Sequence, residues 1–384
     1  MSDVPSASSS LASHGSFCQE TFVAILDFGR WAPSADNTQP WRFELAPPAS
    51  IVVHGFDTRD SCVYDLDGRI SQLAVGALLE TIRIAATAHN LDCVTVRRPG
   101  LPDTRPTFDL RFEPSTVRRD PLVDFVRLRS VQRRPLRTRP LTHDQRKELE
   151  ASVGQGHEVR WIASLRDRLA MSRMLFHNGR LRLRLPEAFD VHRRIIEWNA
   201  TESIDRLPDR AIGLDPLSLR VTRWAFASWK RVSFLDKYLA GTLVPSIELD
   251  FLPGIACAAH FIILASHPPR DTDEYIEGGR ALQRFWLTAT RLRLLLQPAA
   301  SPLVFARYRR EDRHYTASQS CRALARRVTD QLTAIIGPDA LDRAVFMGRI
   351  GSGRPAAARS TRLPLAALCE PRQAADQAGS AIHA

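Results

Sequence analysis

One segment of this chain occurs twice. The stretch Gly76-Ala-Leu-Leu-Glu-Thr-Ile-Arg-Ile-Ala-Ala-Thr aligns with Gly279-Arg-Ala-Leu-Gln-Arg-Phe-Trp-Leu-Thr-Ala-Thr at a constant offset of 203 residues. Gly76/Gly279, Leu79/Leu282, Ala86/Ala289, Thr87/Thr290 and Leu91/Leu294 are identical. Two buried helices can converge on Gly, Ala, Leu and Thr by composition alone. The matching context, with acidic loop residues before each copy, favours duplication. Small residues on both helices let their backbones approach closely, so the pair is expected at the centre of a core shared by two similar lobes.

The 384 residues, 44% of them hydrophobic and 25% charged, suffice for such a core. Lobes are expected over 17–118 and 119–371. Residues 1–16 and 372–384 lack periodic apolar positions and are expected to be disordered. Apolar spacing predicts helices over 17–32, 69–92, 122–129, 142–153, 278–296 and 317–336, and one or two over 166–198. Thr142 and Gln145 have the spacing of a capping box. Strands are expected over 41–45, 51–54, 107–112, 157–163, 255–266 and 344–350. The fold class is α+β.

A net charge of +11 would ordinarily suggest a polyanionic partner. Of the 53 cations, however, 50 are arginine, spread along the whole chain without aromatic interleaving, so nucleic acid is not the expected partner. The six cysteines are scattered, without a C-x-x-C pair or a histidine at ligand spacing, so no metal site is expected. His177, His192 and His260 lack a paired carboxylate or cysteine and read as structural. The N-terminus has no secretory pattern, and no run reaches 18 apolar residues, so a cytoplasmic protein without a membrane partner is expected.

The strongest local motif is Arg30-Trp-Ala-Pro-Ser-Ala-Asp-Asn-Thr-Gln-Pro-Trp-Arg-Phe43. Pro33 stops a helix, Ser34 and Asn37 present short polar groups, and Pro40-Trp41 leads into a strand. Such a loop can grip a ligand; by composition alone an ordinary helix-to-strand connection is the preferred reading.

The string A-P-S-x-x-N-x-Q-P-W-x-F, carried by Ala32, Pro33, Ser34, Asn37, Gln39, Pro40, Trp41 and Phe43, resembles the signature of the nitroreductase family. Its members are FMN-dependent oxidoreductases, usually homodimers, with a mixed sheet wrapped by helices and flavins at the dimer interface. The chain is similar to a longer, single-chain branch in which two halves mimic that dimer. Arg133-Arg134-Pro135-Leu136-Arg137 resembles the family's opening arginine element, with Pro135 in place of the usual serine. The stretch from Gly353 resembles its closing basic segment, with Arg359 and Arg362 at the carried-over positions.

The resemblance implies one composite FMN site, in which Pro33, Ser34 and Asn37 from the first lobe face Arg133, Arg134, Arg137, Arg359 and Arg362 from the second, with a degenerate reciprocal site. It implies a monomer that acts as an internal pseudo-dimer. It also implies NAD(P)H as electron donor, a nitroaromatic or quinone-like small-molecule acceptor, and chemistry on flavin N5 without a catalytic side chain. Relative to the family core, 166–239 is a helical insertion. Simple packing is expected for it, then a lid built on Trp224, Trp229 and Tyr238, with an amphipathic membrane-touching helix as the rival. The alternative function is an FMN-sequestering protein with a covered flavin and little turnover.

Overall fold

In a computed structural model, residues 19–46, 50–239 and 241–370 are described. The expected disordered ends and Cys18 lie outside these residues. Helix α1 (Gln19–Gly29) leads into β1 (Trp41–Ala46) and β2 (Ser50–Gly55). Helix α2 (Arg69–Thr87), β3 (Leu91–Arg97) and β4 (Thr107–Pro114) follow. The four strands form one antiparallel sheet in the order β1-β2-β4-β3. Its inward residues, among them Phe43, Val53 and Leu110, pack with Ile25, Leu78 and Ile82 into the first core.

A second antiparallel sheet is built from the rest of the chain. Helix α3 (His143–Ser152) carries the capping box of Thr142 and Gln145. After β5 (His157–Ile162) the chain departs into α4 (Leu165–Arg184), α5 (Pro186–Ile195), α6 (Pro216–Ala225) and α7 (Trp229–Leu239). It then returns with β6 (Ala259–Ala265), α8 (Thr272–Arg291), β7 (Leu295–Pro298), α9 (Ser301–Arg310), α10 (Gln319–Ile336) and β8 (Ala344–Gly351). The second sheet, read β5-β6-β8-β7, has the strand order of the first and is likewise antiparallel throughout.

Helices α2 and α8 cross where the two copies of the repeat carry glycine. A Cβ on Gly76 would lie 2.0 Å from the Ile276 carbonyl oxygen, and one on Gly279 would lie 2.1 Å from that of Leu73. Ile276 is Leu73 displaced by the same 203 residues, so the two clashes are one contact made in both directions. The polar contacts share this reciprocity. Glu80 accepts from Arg284 at 2.8 Å, while Gln283, the counterpart of Glu80, donates to Thr81 at 2.8 Å. Gln72 donates to Thr272 at 3.2 Å, and Arg69 lies 4.6 Å from the Tyr275 ring.

Several boundaries differ from the expected ones. Both long helices stop early, ahead of β3 and β7. At each stop a non-glycine residue takes a left-handed conformation, Asn90 at φ 56° and Arg293 at φ 57°, again 203 residues apart. Residues 121–125 form a 3-10 turn rather than a longer helix, and α9 was not anticipated. Helix α2 is long and apolar enough to cross a membrane, yet 89% of its apolar window is buried inside the protein.

Beyond β8 the chain crosses to the first half. Leu363, Leu365 and Cys369 pack on the first core, and the Glu370 amide donates to the Phe43 carbonyl at 2.9 Å. This crossing carries Arg359 and Arg362 past the 33–39 loop.

Candidate functional site

A cavity of about 760 Å³ opens beside the α2–α8 crossing. Pro33, Ser34, Asn37, Arg133, Arg359 and Arg362 all line it, brought together from three distant stretches of the chain. Arg134 and Arg137 do not line it and are exposed. Residues 132–137 are pinned by backbone bonds from Gln132 to Leu296 (3.0 Å), Leu136 to Ala256 (2.8 Å) and Arg137 to Ser352 (2.8 Å). Leu136 takes the inward place, only 5% exposed, which turns Arg134 and Arg137 outward. That corrects the expectation that both face the loop.

The loop is held by its own polar residues. Asp36, Asn37 and Gln39 have φ of 51°, 62° and 49°, a region that asparagine and aspartate tolerate better than most. The Ser34 hydroxyl accepts from the Gln39 amide at 3.0 Å. The Gln39 side chain donates to Ile204 (2.9 Å) and accepts from the Leu363 amide (3.0 Å). Asn37 donates to the Thr361 carbonyl at 3.2 Å, and its Oδ1 is buried without a protein partner. The Asn37 amide group therefore clamps the loop to the closing segment. Asn37→Ala is expected to cost about 2 kcal/mol of stability, by loss of this buried bond and strain at a positive φ, measurable by urea unfolding.

The closing segment meets two further arginine-bearing stretches at the basic end of the cavity. Arg362, 8% exposed, donates to the Ala32 carbonyl at 2.8 and 3.0 Å and to the Thr361 carbonyl at 2.7 Å. Arg129, 4% exposed, donates to the Trp31 carbonyl at 3.0 Å and lies 4.5 Å from the Trp286 ring centre. Arg359 donates to the Arg129 carbonyl at 3.3 Å and lies 5.3 Å from the Trp31 ring. The Nε atoms of Arg129 and Arg359 have no partner. Arg349, also buried, donates to the Arg133 carbonyl at 2.6 Å.

Among the described residues, none of Arg129, Arg133, Arg349, Arg359 and Arg362 makes an ion pair with a carboxylate. Burial, reinforced by Arg359 and Arg30, pushes the Arg362 pKa down to about 9. Burial, with Arg362 and Arg359 beside it, drives that of Arg129 well below the usual range. Arginine does not surrender its proton in a protein; Asp36 lies near Arg133 and Asp250 near Arg349 in the same cavity lining, so the charge open to an anion is chiefly that of Arg129, Arg359 and Arg362. Arg129 and Arg349 escaped the sequence reading because only their burial separates them from 48 other arginines.

The other end of the cavity is built by the excursion between β5 and β6. Phe226, Val232 and Leu235 present an apolar wall. Trp224 and Tyr238, placed by the second-ranked reading in a lid, are 48% and 62% exposed and do not line the cavity. Trp229 packs instead on Phe189, with ring centres 5.6 Å apart. Helix phase explains this, because Val221 and Ala225 share the cavity-facing stripe of α6 and Trp224 does not. His192, read as structural, lies on the cavity wall with its Nε2 3.1 Å from the Tyr64 hydroxyl. Burial and Arg182 lower its pKa to about 3, which keeps the imidazole neutral. His177 pairs with Gln331 and His260 with the Gly254 carbonyl, both away from the cavity.

The donor set suits a phosphate-bearing, largely apolar cofactor. Unpaired guanidinium groups stand at one end, and Leu73, Ala74, Ala77 and Leu282 offer an apolar slot next to them. The volume is in the range of small-molecule sites.

No family model matches the chain. It is 25% identical over 350 residues to an uncharacterized protein from Mycobacterium tuberculosis (strain CDC 1551 / Oshkosh), over 89% of this chain and 47% of that protein. The chain thus spans about half the length of that curated relative. Two solved structures are similar in part. A nitroreductase-like family protein from Bacillus cereus has 11% identity and a TM-score of 0.33, over 68% of this chain and all of its own. The FMN-dependent nitroreductase NfnB from Mycobacterium smegmatis, in complex with NADPH, has 15% identity and a TM-score of 0.35, over 65% of this chain and 96% of its own. Scores of this size leave the chemistry of the cavity to be read from the chain's own residues.

Proposed function

We propose that the chain binds FMN in this cavity and acts as a flavin oxidoreductase of the nitroreductase type, taking electrons from NAD(P)H and passing them to a small nitroaromatic or quinone-like acceptor. The observation that carries the reading is the cluster of Arg129, Arg359 and Arg362, buried or half-buried at one wall and, among the described residues, not ion-paired, beside the 33–37 loop, whose Asp36 also lines the cavity. Arg129 and Arg359 would hold the phosphate by charge-assisted bonds, while Arg362, whose N–H groups are mostly engaged by the Ala32, Trp31 and Thr361 carbonyls, would add positive charge. Arg133, whose pKa burial lowers to about 10, would place positive charge toward the ring. When bound, the flavin supplies the hydride and electron transfer itself. The chain's residues bind and orient it, and the apolar wall of the excursion excludes water.

In this reading the two halves, 17–118 and 119–371, are a fused duplication that stands in for a dimer within one monomer. The reciprocal contacts about Gly76 and Gly279 and the shared strand order support it. In this reading the reciprocal site is degenerate. The cavity-lining Ala74 and Ala77 correspond, 203 residues on, to Glu277 and Arg280, which form an ion pair at 3.0 Å.

A second reading, FMN sequestration with little turnover, is favoured by the cover that Phe226, Val232 and Leu235 place over the cavity. Purified protein reconstituted with FMN should be yellow, and NADH or NADPH should bleach the flavin band. A bound flavin that neither nicotinamide reduces would leave only sequestration. Protein that takes up no FMN would refute both.

A further inference from the structure

The excursion carries a surface that the cofactor reading does not use. Of the 17 large hydrophobic side chains exposed among the described residues, nine lie between Leu217 and Leu252. They include Trp224, Phe234 and Tyr238, the three exposed aromatic residues of the set. Leu217 (69% exposed), Val221 (47%), Leu239 (66%) and Val244 (52%) also line the cavity, so the patch is continuous with its mouth.

The exposed charges on α6 and α7 have one sign. Arg220, Arg223, Lys230, Arg231 and Lys237 are all exposed, and none makes an ion pair among the described residues. Two of the chain's three lysines are among them. Elsewhere many surface arginines do pair with acids, as in Arg119–Asp124, Arg310–Asp342 and Arg343–Glu158. Of the acids near the patch, Asp236 is neutralised by Arg184 at 2.8 Å, while Asp215, which caps α6, and Glu248, which accepts from Ser218 at 2.8 Å, keep their charge and leave the five basic groups in excess. Arg231 and Lys237 lie 4.9 and 5.1 Å from the Trp224 and Tyr238 rings. Basic side chains interleaved with aromatic ones at an apolar surface suit the boundary between lipid headgroups and acyl chains.

We propose that the exposed face of α6 and α7 docks on an anionic phospholipid bilayer, with the apolar cavity mouth set against the lipid. At 10 and 11 residues the helices are too short to span a membrane, so they lie on its surface. The sequence expectation of no membrane partner rested on the lack of a long apolar run, which bears on spanning and not on surface binding. The unbalanced positive charge selects anionic lipid. The proposal is independent of whether the cavity holds FMN.

The test is co-sedimentation of the full chain with phosphatidylcholine vesicles, with and without phosphatidylglycerol. Affinity is expected to be about tenfold or more higher for the anionic vesicles and to fall with added salt. Lys230→Gln with Lys237→Gln should weaken it roughly thirtyfold, and Trp224→Ala with Phe234→Ala on the order of tenfold. Both double variants should keep the parent's thermal midpoint, because the altered side chains are exposed. Equal binding to both vesicle types, no binding, or variants that bind like the parent would overturn the proposal. So would a dimer, seen by analytical ultracentrifugation, that the same substitutions dissociate, since the face would then belong to a second copy.

Discussion

Gly76→Ala is expected to cost about 4 kcal/mol or more of folding stability, a loss that places a point mutation in the exceptional class. On helix propensity alone the change should gain nearly 1 kcal/mol. The opposite sign follows from where the new methyl group goes, 2.0 Å from the backbone carbonyl oxygen of Ile276. A flexible side chain could swing aside, but a helix backbone cannot, so α2 and α8 must separate. Separation strains the Glu80–Arg284 and Thr81–Gln283 bonds that flank the crossing. Glu80 is 2% exposed and accepts from Arg284 at 2.8 Å, so its charge becomes costly as that partner retreats and leaves it only Arg83 of its own helix. Gly279→Ala should cost nearly the same, since its methyl group meets Leu73 in the mirrored contact at 2.1 Å. The double variant should cost less than the sum, because the first separation already makes room for the second methyl group. Urea unfolding of the four proteins checks all three statements. A neutral Gly76→Ala would show that the helices are not interlocked, and strongly unequal single costs would argue against the internal two-fold relation.

How much of this was legible in the sequence depended on the range of the interaction that decides each feature. The central helix pair was readable because the repeat leaves glycine and small residues at a fixed offset. The capping box of Thr142 and Gln145 is local and was visible for the same reason. Strands β3 and β7 were hidden, because apolar residues continue through them at spacings a helix accepts. The stop comes from the left-handed turns at Asn90 and Arg293, and arginine is no turn signal. In the cavity, Pro33, Ser34 and Asn37 belong to a recognisable loop. Arg129 and Arg349 are set apart only by long-range burial, which no local spacing records among 50 arginines. Arg134 and Arg137 show the converse error. Their motif suggested function, but the inward place between them belongs to Leu136. In the excursion, the large rings attracted attention while helix phase assigned the cavity face to Val221 and Ala225.

Arg359→Leu is expected to weaken FMN binding by roughly 10- to 100-fold, the worth of a charge-assisted bond to phosphate, while leaving the thermal midpoint of the apo-protein unchanged or higher. The two effects diverge because Arg359 contributes little to the fold itself. Its one side-chain hydrogen bond to protein, to the Arg129 carbonyl, is long at 3.3 Å, and its Nε has no partner. Burial lowers its own pKa against the pull of nearby Glu202, and its charge helps to lower the pKa values of Arg129 and Arg362. Removing one cation relieves that repulsion. Arg362→Leu should behave differently, losing FMN affinity and stability together, because the buried Ala32 carbonyl would be left without its donor and Thr361 would keep only its bond from Asn37. Inorganic phosphate should raise the midpoint of the parent apo-protein, as any anion that binds only the folded state must, and should do so much less for Arg359→Leu. Calorimetric titration with FMN and thermal melts with and without phosphate separate these outcomes. If Arg359→Leu destabilises the fold as much as Arg362→Leu while FMN affinity is unchanged, the cluster is structural, and the cavity is not a phosphate site.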